Sequence, residues 1–284
     1  YIVKFKSDDA IKNISQHKSL QQVKDLNLSF GHYAKIDVDN KNDIEFLKSH
    51  PEVEYVEEND LVHAYPIDEM TSKSVDDPSF NQQWGLKNTG LNSGGFFFPG
   101  KAGEDINALN AWEINKGDKS IKIAVIDTGV DYNHIDLKDN LMINEDELNG
   151  EEGVDDDGNG YVDDIYGYDF ANNDADPMDG HGHGTHCAGV IGASHNNRGI
   201  AGVMADVQIL SIKFLQDSGS GTMEGAIQSI DYAIKRGVNV MSNSWGGGPF
   251  NEALFDAIKA ADEAGIVFVA AAGNSRRNND NTAA

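Results

Sequence analysis

Apolar residues along the chain follow two rhythms. Through residue 65 they come in short bursts. "YIVKFK" (1–6) alternates as a strand does, and Ala10 to Leu26 carries helical spacing at Ile11, Ile14, Leu20, Val23 and Leu26. "NLSFGHYAKIDV" (27–38) reads as two strands about a glycine turn. "NDIEFLKSH" (42–50) is a short helix stopped by Pro51, and "VEYVEEN" (53–59) is a strand. The order βαββαβ predicts a small α+β, ferredoxin-like domain with its helices on one face of an antiparallel sheet. Residues 66–76, from "PIDEMTSKSVDDPSF", are polar and without periodicity, and mark a linker between residues 1–65 and 77–284.

Beyond Trp84 the pattern changes to strands alternating with helices. The strands are "IKIAVID" (121–127), "VQILSIKFL" (207–215), "VNVMSNSW" (238–245) and "IVFVAAAG" (266–273). Such near-continuous apolar runs suit a mostly parallel sheet covered on both faces. "TMEGAIQSIDYAIKRG" and "NEALFDAIKAADEAG" have helical spacing and end in glycine. The layout is a doubly wound α/β domain, whose ligands bind beyond the carboxyl ends of the strands. No G-x-G-x-x-G follows the first of these strands, which argues against a dinucleotide.

Composition narrows the function. The 284 residues are 39% hydrophobic, enough for a sizeable core, and no apolar run approaches the roughly 20 residues of a membrane span. A formal charge of −25 argues against a nucleic-acid surface. From Asp139 to Asp179 there are fifteen Asp and Glu and no Lys or Arg, interspersed with Gly and Asn. A solvated acidic face is the plain explanation of a charge run; the glycines and asparagines favour a cation site. One cysteine, Cys187, excludes an internal disulfide framework.

Three segments carry candidate chemistry. Asp127 ends a strand, where α/β proteins build their sites, although a turn-capping aspartate would read the same. "HGHGTHC" (181–187) holds three histidines spaced two and three apart, a poor helical fit to a zinc site. It leaves a core histidine or a general base at a helix start. Asn274 stands at the tip of "VFVAAAGNS", where an amide can donate to an oxyanion or form a turn. Separately, "DDDGNGYVDD" (155–164) contains D-x-D-x-N-G. Asp155, Asp157, Asn159, Tyr161, Asp163 and Asp164 are its candidate Ca²⁺ ligands. Position twelve of that loop is Tyr166, not the Glu of an EF-hand.

In chain order, "VIDTGVDYNHIDL", "HGTHCAG", "SNSWGGGP" and "AAAGNS" resemble the aspartate, histidine, substrate-groove and oxyanion segments of the subtilisin-like serine proteases, the subtilases, over roughly residues 77–284. "VEYVEENDLVHAY" (53–65) resembles the end of a subtilase propeptide. The resemblance implies a secreted, calcium-stabilised endopeptidase precursor with His183 as general base, Asp127 as its orienting acid and Asn274 as oxyanion donor. His181 falls at the rim, and His186 and Cys187 on the helix behind. It implies that a peptide substrate is bound as an added strand between "DSGSG" (Ser218, Gly219, Ser220) and Ser244, Trp245 and Gly246, with Ala271 and Gly273 walling the pocket. It also implies a second calcium site at Asp77, Asp136 and Asn196, and residues 1–65 acting as an intramolecular inhibitor.

The family's G-T-S-M-A-x-P serine segment does not occur in these residues, and its nearest look-alike, "GSGTMEGA", has Met223 at the serine position. These residues alone are therefore expected to be inactive, the serine and the rest of the catalytic domain being supplied from outside them. The rival readings are an inactive peptide- or calcium-binding protein and, far behind, a histidine-metal hydrolase.

Overall fold

The computed structural model describes residues 1–17, 20–38, 40–64, 77–91 and 100–275. The first unit runs β1 (Ile2–Phe5), α1 (Asp8–Ser15), β2 (Gln21–Asp25), β3 (His32–Asp37), α2 (Lys41–Ser49) and β4 (Val53–Glu57). Its antiparallel sheet has the order β2-β3-β1-β4. Ser7 and Asn40 start the two helices by accepting from the backbone N–H of Ala10 and Asp43. Val3, Phe5, Ile11, Ile14, Ile36 and Leu47 fill the space between helices and sheet.

The helix expected from Ala10 to Leu26 stops at Ser15. Val23 to Asp25 instead pair with Ala34 to Ile36, across an irregularity where Gln22 takes a φ of 47°. Backbone pairing to β3 overrides the helical spacing of Leu20, Val23 and Leu26. For the same reason "NLSFGHYAKIDV" supplies one strand and a turn, not two strands.

After β5 (Leu61–Ala64) come α3 (Ala108–Ile114), β6 (Gly117–Asp127), α4 (Glu145–Asn149), β7 (Gly167–Asp169), α5 (His183–Gly192), β8 (Asp206–Lys213), β9 (Ser220–Thr222), α6 (Met223–Lys235), β10 (Val240–Asn243), β11 (Trp245–Gly246), α7 (Glu252–Glu263) and β12 (Val267–Ala270). Five strands form a parallel sheet in the order β12-β10-β6-β8-β7. Strand alternation sorts its faces. Ala124, Ile126, Leu210 and Ile212 pack with Ile227, Ile230 and Ala257 of α6 and α7. Ile123, Val125 and Ile209 pack with Ala188 of α5. Asp127 has the parity of Ile123 and Val125, so it points to the α5 side, where His183 begins the helix.

Three strands end sooner than their apolar runs: β8 at Lys213, β10 at Asn243 and β12 at Ala270. Past Asn243 the chain leaves the parallel sheet, because Trp245 and Gly246 pair antiparallel with Ala64 and His63. Leu61, Val62 and His63 pair on their other side with Thr222, Gly221 and Ser220. The resulting sheet, β11-β5-β9, has at its centre the strand that follows the first unit.

Residues just before β5 close two helix starts. The Glu57 carboxylate accepts from the N–H groups of Glu252 and Ala253 (2.7 and 3.0 Å), Asn59 Oδ1 from Glu224 N (2.8 Å), and Asp60 O from Met223 N (2.9 Å). Each satisfies N–H groups that a helix leaves unpaired. Ile2, Leu26, Leu28 and Tyr33 join the core of α6 and α7, so the two units share apolar packing. The expected linker, 66–76, lies outside the described residues.

Candidate active site

Asp127 and His183 are 1% and 3% exposed, and His183 Nδ1 lies 2.6 Å from Asp127 Oδ1. That oxygen also accepts from Thr128 N at 2.7 Å. An ionised carboxylate only accepts, so Nδ1 carries a proton, and in the neutral ring Nε2 keeps its lone pair. Burial works against the imidazolium, but the hydrogen bond and charge of Asp127, with the Cys187 sulfur, outweigh it and raise the His183 pKa above the ordinary 6.5. A buried base with its tautomer fixed by an acid is equipped to take a proton from a hydroxyl.

The start of α5 is held tightly. The Asp179 carboxylate accepts from His181 N, Gly182 N, Thr185 N and the hydroxyls of Thr185 and Thr128, at 2.6–2.9 Å. Burial alone would raise its pKa; these donors outweigh that and lower it. Thr128 Oγ1 in turn accepts from Gly184 N at 2.9 Å. Gly184 is needed here, since a Cβ would lie 2.1 Å from the Gly129 carbonyl oxygen. Asp179 therefore clamps the histidine loop to the aspartate turn, a role that sequence reading missed although the residue heads the histidine segment.

Lys213, its side chain 4% exposed, ties the same turn to the groove. Its ammonium donates to Thr128 O (3.0 Å) and Asp217 Oδ1 (2.7 Å). His181 and His186 are exposed, and Cys187 is half-buried with Sγ 4.0 Å from His183 Nδ1.

Ser220, Trp245 and Gly246 lie in the strands flanking β5, with Ser244 half-buried just ahead of β11. Ser218 and Gly219 sit in the turn before β9, where Gly219 N donates to Gln216 O at 2.8 Å, and the pairing edge is Ser220 to Thr222, two residues beyond the expected Ser218 to Ser220. Ala271 N donates to Asn243 O at 3.0 Å. Ala271 and Asn274 are exposed and Gly273 half-buried, just past the end of β12.

The acidic loop folds around a residue outside its motif. Glu147 of α4, 4% exposed, accepts from Asp156 N, Asp157 N and Asp163 N at 2.7–3.2 Å. Its carboxylate comes within 4.8 Å of those of Asp157 and Asp164. Asn144 and Asn159 donate to the same two aspartates, as does Arg236, at 3.2 Å from Asp157 and 3.4 Å from Asp164. Burial, partly offset by Tyr232 and Arg236, raises the Asp164 pKa. Asp155 accepts from Asn159 N and Gly160 N, and Asp163 turns to Gly153 N. The Tyr161 ring packs against Tyr168, Phe170 and Tyr232. An all-oxygen set of this kind fits a hard cation.

At the second expected site Asp136 is 3% exposed. Its Oδ1 and Asn196 Oδ1 are buried with no hydrogen-bond partner among the described residues. Orphaned acceptors of this kind fit a bound cation. Asp77 begins a 3-10 turn (Asp77–Gln82), and its side chain lies outside the described residues.

The fold and site define an α/β protein with an acid-oriented histidine beside an edge that accepts an extended strand. Residues 118–284 match the profile described as Subtilase family, and the chain belongs to that family of serine peptidases. It is 36% identical over 195 residues to subtilisin-like protease 1 of Plasmodium falciparum, covering 68% of this chain and 26% of that protein. It is 39% identical over 173 residues to thermitase of Thermoactinomyces vulgaris, covering 61% and 53%. To the minor extracellular protease Epr of Bacillus subtilis it is 32% identical over 230 residues, covering 80% and 29%. The chain thus spans between about a quarter and about half of these relatives. Among the described residues no helix is long and apolar enough to cross a membrane.

Proposed function

We propose that residues 77–284 carry the acid, the base and the substrate groove of a secreted serine endopeptidase, and that residues 1–65, a ferredoxin-like domain, are its inhibitory propeptide. The nucleophilic serine then belongs to a segment outside these 284 residues. The observation that carries the reading is β5: a stretch of the chain's own backbone paired on both sides, as a bound peptide would be. Ser244 precedes Trp245 on that edge and acts with His183 and His186 to lower the Cys187 pKa against the effect of burial, and Cys187 Sγ lies 4.0 Å from His183 Nδ1. The edge therefore leads toward the base. Extracellular action is supported by the name of the Epr relative.

In this mechanism His183 Nε2 takes the proton of the serine hydroxyl as the oxygen attacks the scissile carbonyl. Asp127 stabilises the imidazolium through Nδ1–H, and the Asn274 amide donates to the oxyanion. His183 then passes the proton to the leaving amine, and water repeats the sequence to release the acyl group. Calcium would be held by Glu147, Asp157 and Asp164, and by Asp136 and Asn196 with Asp77. It would supply stability and take no part in the bond chemistry.

Hydrolysis of a peptide substrate by the full-length protein after removal of residues 1–65 tests the reading. Asn274→Ala should lower kcat about 10²–10³-fold with KM little changed. An unchanged kcat would remove Asn274 from the oxyanion site. Full-length protein that binds peptides in the groove yet hydrolyses none would favour the inactive binding protein.

A further inference from the structure

Three donors from the first sheet converge on one oxygen of α7. Asp256 Oδ2 accepts from Lys4 Nζ at 2.8 Å, Tyr33 Oη at 2.7 Å and Tyr55 Oη at 3.0 Å. The Lys4 ammonium sits 5.5 and 5.6 Å from the centroids of the Tyr33 and Tyr55 rings. The side chains of Lys4 and Asp256 are only 22% and 23% exposed. Charge, two hydroxyls and aromatic faces thus form a receptor for the Asp256 carboxylate, with Glu54 of the same sheet 3.6 Å from the Lys4 ammonium.

The other charged contacts between the units are of a different kind. Glu224 meets Lys24 at 2.9 Å and Lys35 at 3.5 Å, but those lysines are 53% and 33% exposed and are more strongly screened. Asp231 accepts from Ser29, yet it also has Lys235 of its own helix at 3.0 Å. For Asp256, every donor described comes from the first sheet. The nearest lysine on its own helix, Lys259, faces Glu263 at 3.7 Å.

We propose that Asp256 is the anchor by which residues 1–65 stay bound to the rest of the protein once the chain between them is cut. The surface on the domain is the Lys4–Tyr33–Tyr55 receptor, and the partner it fits is a helix carrying one carboxylate at this position. This deepens the inhibitor reading, on which its biological meaning rests. It makes retention selective for catalytic domains bearing an acid at position 256. Asp256 lies on α7, outside the groove strands and the Asp127–His183 pair, so the freed enzyme does not need it.

The test uses the full-length protein in a His183→Ala background, with the recognition sequence of a site-specific protease placed within residues 66–76. After external cutting, release of the N-terminal fragment is followed by size and fluorescence. Asp256→Asn should speed release about 100-fold, as expected on breaking a partly buried, hydrogen-bonded charge pair. Lys4→Met with Tyr55→Phe should do the same from the other side, and the combination should add little. Peptide hydrolysis by freed Asp256→Asn enzyme with His183 intact should match wild type. Release within threefold of wild type for Asp256→Asn, or full additivity of the two sets, overturns the anchor. Should the wild-type fragment fail to inhibit while Asp256→Asn still speeds release, the inhibitor reading fails and the anchor stands.

Discussion

Replacing Asp127 by asparagine in the full-length protein is expected to lower kcat about 10⁴-fold while KM stays near its original value. The carboxylate binds no substrate. It accepts the Nδ1 proton of His183 at 2.6 Å from a position 1% exposed, where water cannot take its place. An amide there can turn its NH₂ toward Nδ1, which moves the imidazole proton to Nε2 and removes the lone pair that catalysis needs. The substitution also removes the charge that raises the His183 pKa above 6.5. A base must be neutral to act, so wild-type activity should fall with acid through a pKa above 6.5. In Asp127→Asn the residual activity should survive to lower pH, because burial then acts on the imidazolium opposed only by the Cys187 sulfur. A kcat within tenfold of wild type, with the acid limb unmoved, would mean that Asp127 is not the orienting acid.

Chelation of calcium should produce the second largest effect, on stability. A ligand held at 100 times its Kd stabilises by about 2.7 kcal/mol per site. Two such sites give about 5 kcal/mol, or roughly 10–20 °C in Tm for a domain of this size. The acid-loop site brings Glu147, Asp157 and Asp164 within 4.8 Å, and the single charge of Arg236, 3.2 Å from Asp157 and 3.4 Å from Asp164, offsets only part of the repulsion among three carboxylates. The other leaves Asp136 Oδ1 and Asn196 Oδ1 buried and unpartnered among the described residues. Thermal unfolding with EDTA, then with Ca²⁺ or Mg²⁺ restored, measures the effect. Calcium should recover the Tm better than magnesium, which favours a tighter octahedral site. Glu147→Gln and Asp136→Asn should each abolish part of the response. A Tm indifferent to chelator would leave the acidic loop held by its own amides and by Arg236.

The α/β half was legible because its central strands, β6 and β8, are buried on both faces along their apolar runs, whereas β12 leaves Val267 and Val269 exposed and is marked by its apolar run alone. "IKIAVID" declares both its strand character and, by parity, the side on which Asp127 emerges. His183 was legible because the residues around it are small for a steric reason, seen at Gly184. What the sequence hid depends on partners far along the chain. Glu147 joins the acidic loop from a separate helix, so no local spacing marks it. Leu61–Ala64 is too short to read as a strand, and it becomes one only between β9 and β11. The bound on α1 failed because Leu20, Val23 and Leu26 fit a helix as well as they fit the strand and turn they form. Asp256 looks like any surface acid on an amphipathic helix until Lys4, Tyr33 and Tyr55 are brought to it.

In the proposed mechanism Asp127 and His183 serve a serine outside these residues. The direct measurement is to label the full-length protein, freed of residues 1–65, with a fluorophosphonate and locate the adduct by peptide mass. One adduct per molecule is expected, on a serine outside residues 1–284, and none in His183→Ala. An adduct on a serine within residues 1–284, or none on wild type, would contradict it.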